Sequence, residues 1–277
     1  MTTTQTQPAG VTSANAAIRT LPPVAVADRV SFDRLVRVEF RKLVDTRAGM
    51  VLMAIAVLGS VAVAAGVALL YRQFSDALST TAWAAPSNFV ALPVNILVPV
   101  VVILLFSQEW GQRTTLTTFA IEPRRGRVLA AKGVVAVLIS LLGWLWAQGL
   151  SALTSVIGAG LADRSVDWHT DAQQLAGLLA GFLLSNGMAA AFGLLLMNSA
   201  AAIVVFLAIP QVTGALVLAG DKVQAVMNWI DLNTASVVLY ANEPPHLGWW
   251  KLATAVGLWV LVPGAIGVWR NLTREAK

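Results

Sequence analysis

The sequence predicts an all-α integral membrane protein with six transmembrane helices, and three observations carry that prediction. Only 12% of the 277 residues are charged, 57% are hydrophobic and the mean hydropathy is +0.72. A water-soluble chain of this length could hold that balance only by exposing large apolar patches. Apolar windows recur at the roughly 20 residues needed to cross a bilayer core at about 1.5 Å rise per residue. The basic residues, finally, gather in alternate connectors, as they do when short loops obey the positive-inside rule.

The elements follow in chain order. Residues 1–30 are Thr/Ala/Pro-rich, with neither a basic start nor an adjoining apolar run, and they read as a disordered tail rather than a signal peptide. In "SFDRLVRVEFRKLVDTR", Ser31 to Arg47, residues Phe32, Leu35, Val36, Phe40 and Leu43 form one stripe, and Arg34, Arg37, Arg41 and Asp45 form the opposite face. That pattern predicts an amphipathic helix lying on the inner leaflet in contact with membrane lipids. Glu39 falls inside the stripe, where a bare carboxylate is costly. It is expected either to pair with Lys42 at helix spacing or snorkel, or to reach an ion pair on another cytoplasmic segment. Glu39, Arg41 and Lys42 are the candidate site residues of this helix.

No charge lies between Arg47 and Arg72, which places the first span there; Phe89–Phe106 and Gly133–Gly158 read as the second and third. The stretch from Ala172 to Gly220 is uncharged and about twice the length of one span, so it is expected to hold two helices hinged near Asn198–Ala200. Leu252–Trp269 is the sixth. The six-span domain is placed at 31–271, with a cytoplasmic tail at 272–277. Pro93, Pro99 and Pro210 are expected kinks. Asn95, Gln148, Asn186 and Gln211 are the polar groups inside the spans, expected to pack helices together or to line a pathway. Gly-containing faces at Gly143–Ala147 and Gly177–Gly181 suit close helix approach. No ionisable side chain falls at mid-span, which argues against a proton relay or a buried ion site.

With the N-terminus cytoplasmic, fifteen of the 19 Lys and Arg residues fall on inside segments, leaving Arg72, Arg164, Lys222 and Lys251 outside. Both termini are then cytoplasmic in a multi-pass protein of the cell membrane, and Trp83, Trp168, Trp249, Trp250 and Trp269 lie near span ends as anchors. The long connector after span 5 carries apolar patches too short to cross.

The most polar internal stretch is "EWGQRTTLTTFAIEPRRGRVLAAK", Glu109 to Lys132. It exceeds the roughly 2–8 residues that usually join helices in a bundle. Trp110 to Phe119 suits a short helix protruding from the membrane, Pro123 ends that helix or starts the next, and Arg124, Arg125 and Arg127 lie at the leaflet surface.

A Glu at the end of span 2, Thr-Thr soon after, then "EPRRGRVLAAK", together with "VEFRKL" at 38–43, resembles the permeases of the type-2 ABC exporter family over about Ser31 to Asn271. The chain departs from many members in carrying Arg113-Thr114 where they carry Gly-Thr. The resemblance implies that Glu109 to Phe119 is a coupling helix docking into a separate ABC ATP-binding subunit. Glu109 would cap or pair at the inner mouth, and Arg113, Thr114, Thr115, Thr117 and Thr118 would face the partner. Arg124 and Arg125 would position the loop. It further implies a second permease chain, and a re-entrant outer hairpin between spans 5 and 6 with Asn233 near its turn. ATP and Mg would be bound on the partner, with no cofactor on this chain.

Several function classes are disfavoured. With no cysteine there is no thiolate metal site or Cys nucleophile. No G-x-x-x-x-G-K-[ST] phosphate loop occurs, so any ATP is handled by another chain, and this chain is expected to be a transport subunit rather than an enzyme. His169 and His246 are too few for a zinc site and lie in outer loops, away from any buried nucleophile. No metal site and no nucleic-acid partner are expected. Beside an exporter of amphipathic or hydrophobic substrates such as drugs, lipids or peptides, the alternatives are a membrane scaffold for a soluble partner and a secondary carrier. A carrier would require internal repeats and embedded charges.

Overall fold

Thr46 ends the amphipathic helix and starts the first span by using its one hydroxyl twice. The hydroxyl donates to the Leu43 carbonyl at 3.1 Å and accepts from the Gly49 amide at 3.2 Å, which satisfies one of the orphan donors of a helix start. At Gly49 a methyl group would overlap the Leu43 carbonyl, so the turn requires glycine there. The computed structural model describes residues 31–78, 80–111, 124–169, 171–217, 220–241 and 246–273. Among these residues six helices are long and apolar enough to cross a membrane: Arg47–Leu69, Ser87–Trp110, Arg125–Ala162, Ala172–Leu196, Ser199–Val217 and Gly248–Thr273. They are called spans 1 to 6 here. No strand is present among the described residues beyond an isolated bridge between Ala82 and Asp167.

The amphipathic helix runs Phe32–Asp45 and buries Leu35, Glu39 and Leu43. Its stripe packs on spans 1 and 3, so the protein itself covers much of the face that the sequence assigns to lipid. Span 2 is the most buried of the six and supplies the centre of the core. Val98, Val102, Ile103 and Phe106 meet Val135 and Ile139 of span 3 and Ala189 and Phe192 of span 4. Span 1 is apolar all round, with Ile55 and Leu58 exposed, as expected where hydrocarbon rather than water is the outer solvent.

Several boundaries differ from the sequence expectation. Span 3 begins at Arg125, not Gly133, and its 38 residues reach about 57 Å, well beyond a hydrocarbon core of about 30 Å. Nothing in 125–132 breaks a helix, and the charge of Lys132 is matched inside the protein, so this cation does not mark an edge. The far end of span 3 is clasped by the loop around Trp83, whose carbonyl accepts from Ser151 and Ser155 at 3.0 and 3.2 Å. The break between spans 4 and 5 falls at Met197, in the left-handed region at φ 51, and Asn198 caps span 5 through the Ala201 amide. Pro93 lies in the first turn of the helix Leu92–Gly111, where its missing N–H costs nothing; Pro99 and Pro210 are internal.

Span 6 extends beyond Leu252–Trp269 at both ends, so Leu272 and Thr273 are helical rather than tail. It contains a π-helical turn at Gly257–Leu261 immediately before Pro263. Proline cannot donate to the carbonyl four residues back and its ring crowds that carbonyl, so the preceding turn widens. Between spans 5 and 6 two helices, Asp221–Ile230 and Leu232–Ser236, lead into a 3-10 turn at Val237–Leu239. The turn between them is at Asp231, and Asn233 lies inside the second helix. This unit packs on spans 4, 5 and 6. A side chain at Gly177 would overlap the Leu239 carbonyl, whereas Gly181 has open space around it, so only the first of that glycine pair serves close packing.

Candidate functional site: an ionic ring beside the long connector

Glu39 enters the protein on the buried stripe of the amphipathic helix, and three other ionisable groups converge on it. Its two carboxylate oxygens are divided: Oε1 accepts from Lys42 Nζ at 2.7 Å and Oε2 from Lys132 Nζ at 2.7 Å. Glu109, at the end of span 2, closes the ring by meeting Lys42 at 2.8 Å and Lys132 at 3.3 Å through Oε1. Glu39 therefore makes the local pair and the long-range pair at once. The third donor direction of Lys132 goes to the Leu105 carbonyl at 2.9 Å, which matches the three N–H groups of an ammonium. Glu39 and Lys132 are each 3% exposed. The four charges cancel, the condition under which such burial is tolerated.

Lys42 is the one member open to solvent. Burial is the largest single influence on its ammonium and opposes the charge, but the hydrogen bonds and charges of Glu109 and Glu39 together outweigh it and raise the pKa above the ordinary lysine value. A raised folded-state pKa gives a contribution that is complete below the unfolded value of about 10.4 and is lost as pH rises through the folded value. Unfolding midpoints measured across alkaline pH should therefore decline above that value, and Lys42→Gln should make the decline shallower.

A second cluster lies beside the first. Asn271, 4% exposed near the end of span 6, donates from Nδ2 to the Leu194 carbonyl at 3.1 Å and to Gly267 at 2.8 Å. Its Oδ1 accepts from Trp110 Nε1 at 2.8 Å, and its main-chain carbonyl accepts from Arg125 at 3.2 Å. Arg270 donates to the Leu195 carbonyl at 2.7 Å. Leu194 and Leu195 lie in the last turn of span 4, whose carbonyls have no partner within their own helix. Span 6 thus caps span 4 and holds a residue at each end of the connector, Trp110 before it and Arg125 after it.

Of the sequence candidates, Glu39, Lys42 and Glu109 meet in the ring and Arg125 joins the Asn271 cluster. Arg41 is exposed and takes no part. Arg124 precedes the first turn of span 3 and is exposed. Arg113, Thr114, Thr115, Thr117 and Thr118 lie outside the described residues. Lys132 was legible only as a boundary cation, and nothing in the sequence marks Asn271 or the role of Trp110.

The intramembrane candidates separate. Asn95 and Gln148 line one recess between spans 2, 3 and 4. Asn186 is buried and donates to the Phe182 carbonyl of its own helix at 2.9 Å, and Gln211 is exposed on span 5. Among the described residues no group of His, Asp and Glu side chains could hold a metal ion. No protein-family model, curated protein or solved structure matches the chain.

Proposed function

We propose that this chain is the membrane-spanning permease subunit of an ATP-driven ABC exporter, with the connector after span 2 as the lever that a separate ATP-binding subunit moves. The observation that supports this reading best is the ionic ring. It joins the amphipathic helix to spans 2 and 3, the two helices that carry the connector, by buried charge pairs. A push on a connector mounted this way is transmitted as a rigid-body movement of three helices, and the Asn271 cluster extends the mount to spans 4 and 6.

On this reading the connector and both termini are cytoplasmic in the cell membrane, ATP and Mg are held by the partner, and two permease chains with two ATPases make the working unit. The substrate is amphipathic or hydrophobic. Affinity purification of the tagged chain from its native membrane should recover an ABC ATP-binding subunit with it. Replacing 112–119 by a Gly/Ser linker, with Glu109 and Trp110 retained, should release the ATPase. Equal recovery with the linker overturns the lever. So does labelling of Thr117→Cys from outside intact cells by a membrane-impermeant thiol reagent. Recovery of the ATPase without ATP-dependent efflux of a hydrophobic dye would favour the scaffold reading.

A further inference from the structure

We propose that the recess between spans 2, 3 and 4 binds the hydroxylated head of a neutral amphiphile drawn from the surrounding lipid. This site lies about four helical turns along spans 2 and 3 from the ionic ring, and it needs neither the ring nor the connector to be a transport device.

The recess has a volume of about 100 Å³ and is lined by Ser87, Asn88, Asn95, Trp144, Gln148 and Phe182, among others. Through Ser87, Asn88 and Leu178 it adjoins a cavity of about 950 Å³ that reaches His169 and Asp171. Gln148 is 8% exposed, and its amide nitrogen has no hydrogen-bond partner. The Asn88 and Asn95 side chains make no hydrogen bond among the described residues either, and both are exposed at the rim. Two carboxamides with uncommitted donors and acceptors, Asn88 and Asn95, therefore stand at the rim of one groove, and Gln148 lines its wall with an unpaired amide nitrogen buried behind the surface.

Such groups are costly against hydrocarbon unless something polar meets them. Each amide offers two N–H donors and one carbonyl acceptor, a set that matches hydroxyl groups, which also donate and accept. No ionisable residue lines the recess, so it offers no counter-charge for a phosphate or an ammonium. Trp144 and Phe182 supply flat apolar walls, and small-molecule sites commonly combine such walls with a few convergent polar groups. Next to Asn95 the exposed side chains of Leu92 and Ile96 give an acyl chain an apolar track out of the groove.

The test is native mass spectrometry of the full chain released from nanodiscs made with equal amounts of phosphatidylglycerol and monoglucosyl-diacylglycerol. One glucosyl lipid per chain should be retained in preference to phosphatidylglycerol by roughly fivefold or more, the ratio that one net hydrogen bond supplies. Gln148→Leu should cut the preference severalfold. Asn95→Leu, at the exposed rim where folding is not at stake, should do the same, and Arg37→Ala on the amphipathic helix should leave the preference unchanged. Parity in the unmodified chain overturns the proposal, as does a preference that survives both leucine variants. Disulfide cross-linking of Ala91→Cys between two chains would also overturn it, by assigning the groove to a second copy.

Discussion

Lys132→Met should destabilise the protein by about 3–5 kcal/mol, the cost of removing one partner from a buried charge pair. The variant takes from the Glu39 and Glu109 carboxylates the more buried of the two lysines they share and leaves Lys42, the more exposed one. Thermal or denaturant unfolding of the purified chain in one detergent measures the loss. The double variant Glu39→Gln with Lys132→Met should recover a large part of it, because the orphaned charge goes with its partner. Arg164→Ala provides the contrast. Its pair with Asp76 is partly exposed, at 2.6 Å with side chains 31% and 58% accessible, and should matter by less than about 1 kcal/mol. If Lys132→Met and Arg164→Ala cost the same, the ring is not a mechanical mount and the lever loses its support.

The helices and the ring differ in how much of them the sequence reveals, and the reason is physical. Spans are legible because hydrocarbon demands an uninterrupted apolar run of fixed length, a constraint that each segment meets on its own. The ring is a relation between segments 93 residues apart in the case of Glu39 and Lys132. Only one end announces itself: Glu39 is legible because a carboxylate in an apolar stripe needs an explanation. Lys132 has a bland alternative as a boundary cation, and accepting it sets the start of span 3 two turns late. The turn at Asp231 could have been read. "DLNT" at 231–234 is an N-cap signature, and Asp231 accepts from the Thr234 amide at 2.8 Å and from Thr213 at 2.7 Å. The family resemblance instead implies a turn near Asn233, two residues further on. Asn271 bonds mainly to main-chain carbonyls, which any sequence supplies, so no residue pattern could point to it.

Asn271→Ala should cost about 1–3 kcal/mol, the penalty for leaving a buried polar group unmatched, and its effect should concentrate at the end of span 4. Removing Nδ2 frees the Leu194 carbonyl, which has no donor within its own helix, while Arg270 still caps Leu195 and the Met197 amide still caps Gly193. Amide exchange should accelerate around Leu194–Met197 while the middle of span 4 stays protected. Asn271→Asp separates the two jobs of the side chain. A carboxylate can still accept from Trp110 Nε1 but cannot donate to Leu194, so the aspartate variant should expose the end of span 4 while Trp110 keeps its environment. The same pair of variants bears on the connector. If the chain is the permease proposed above and the Asn271 cluster transmits movement between the connector and spans 4 and 6, Asn271→Ala should weaken ATP-driven efflux without reducing ATPase recovery, since the ionic ring still holds spans 2 and 3. Loss of ATPase recovery in this variant would place Asn271 in docking rather than in transmission.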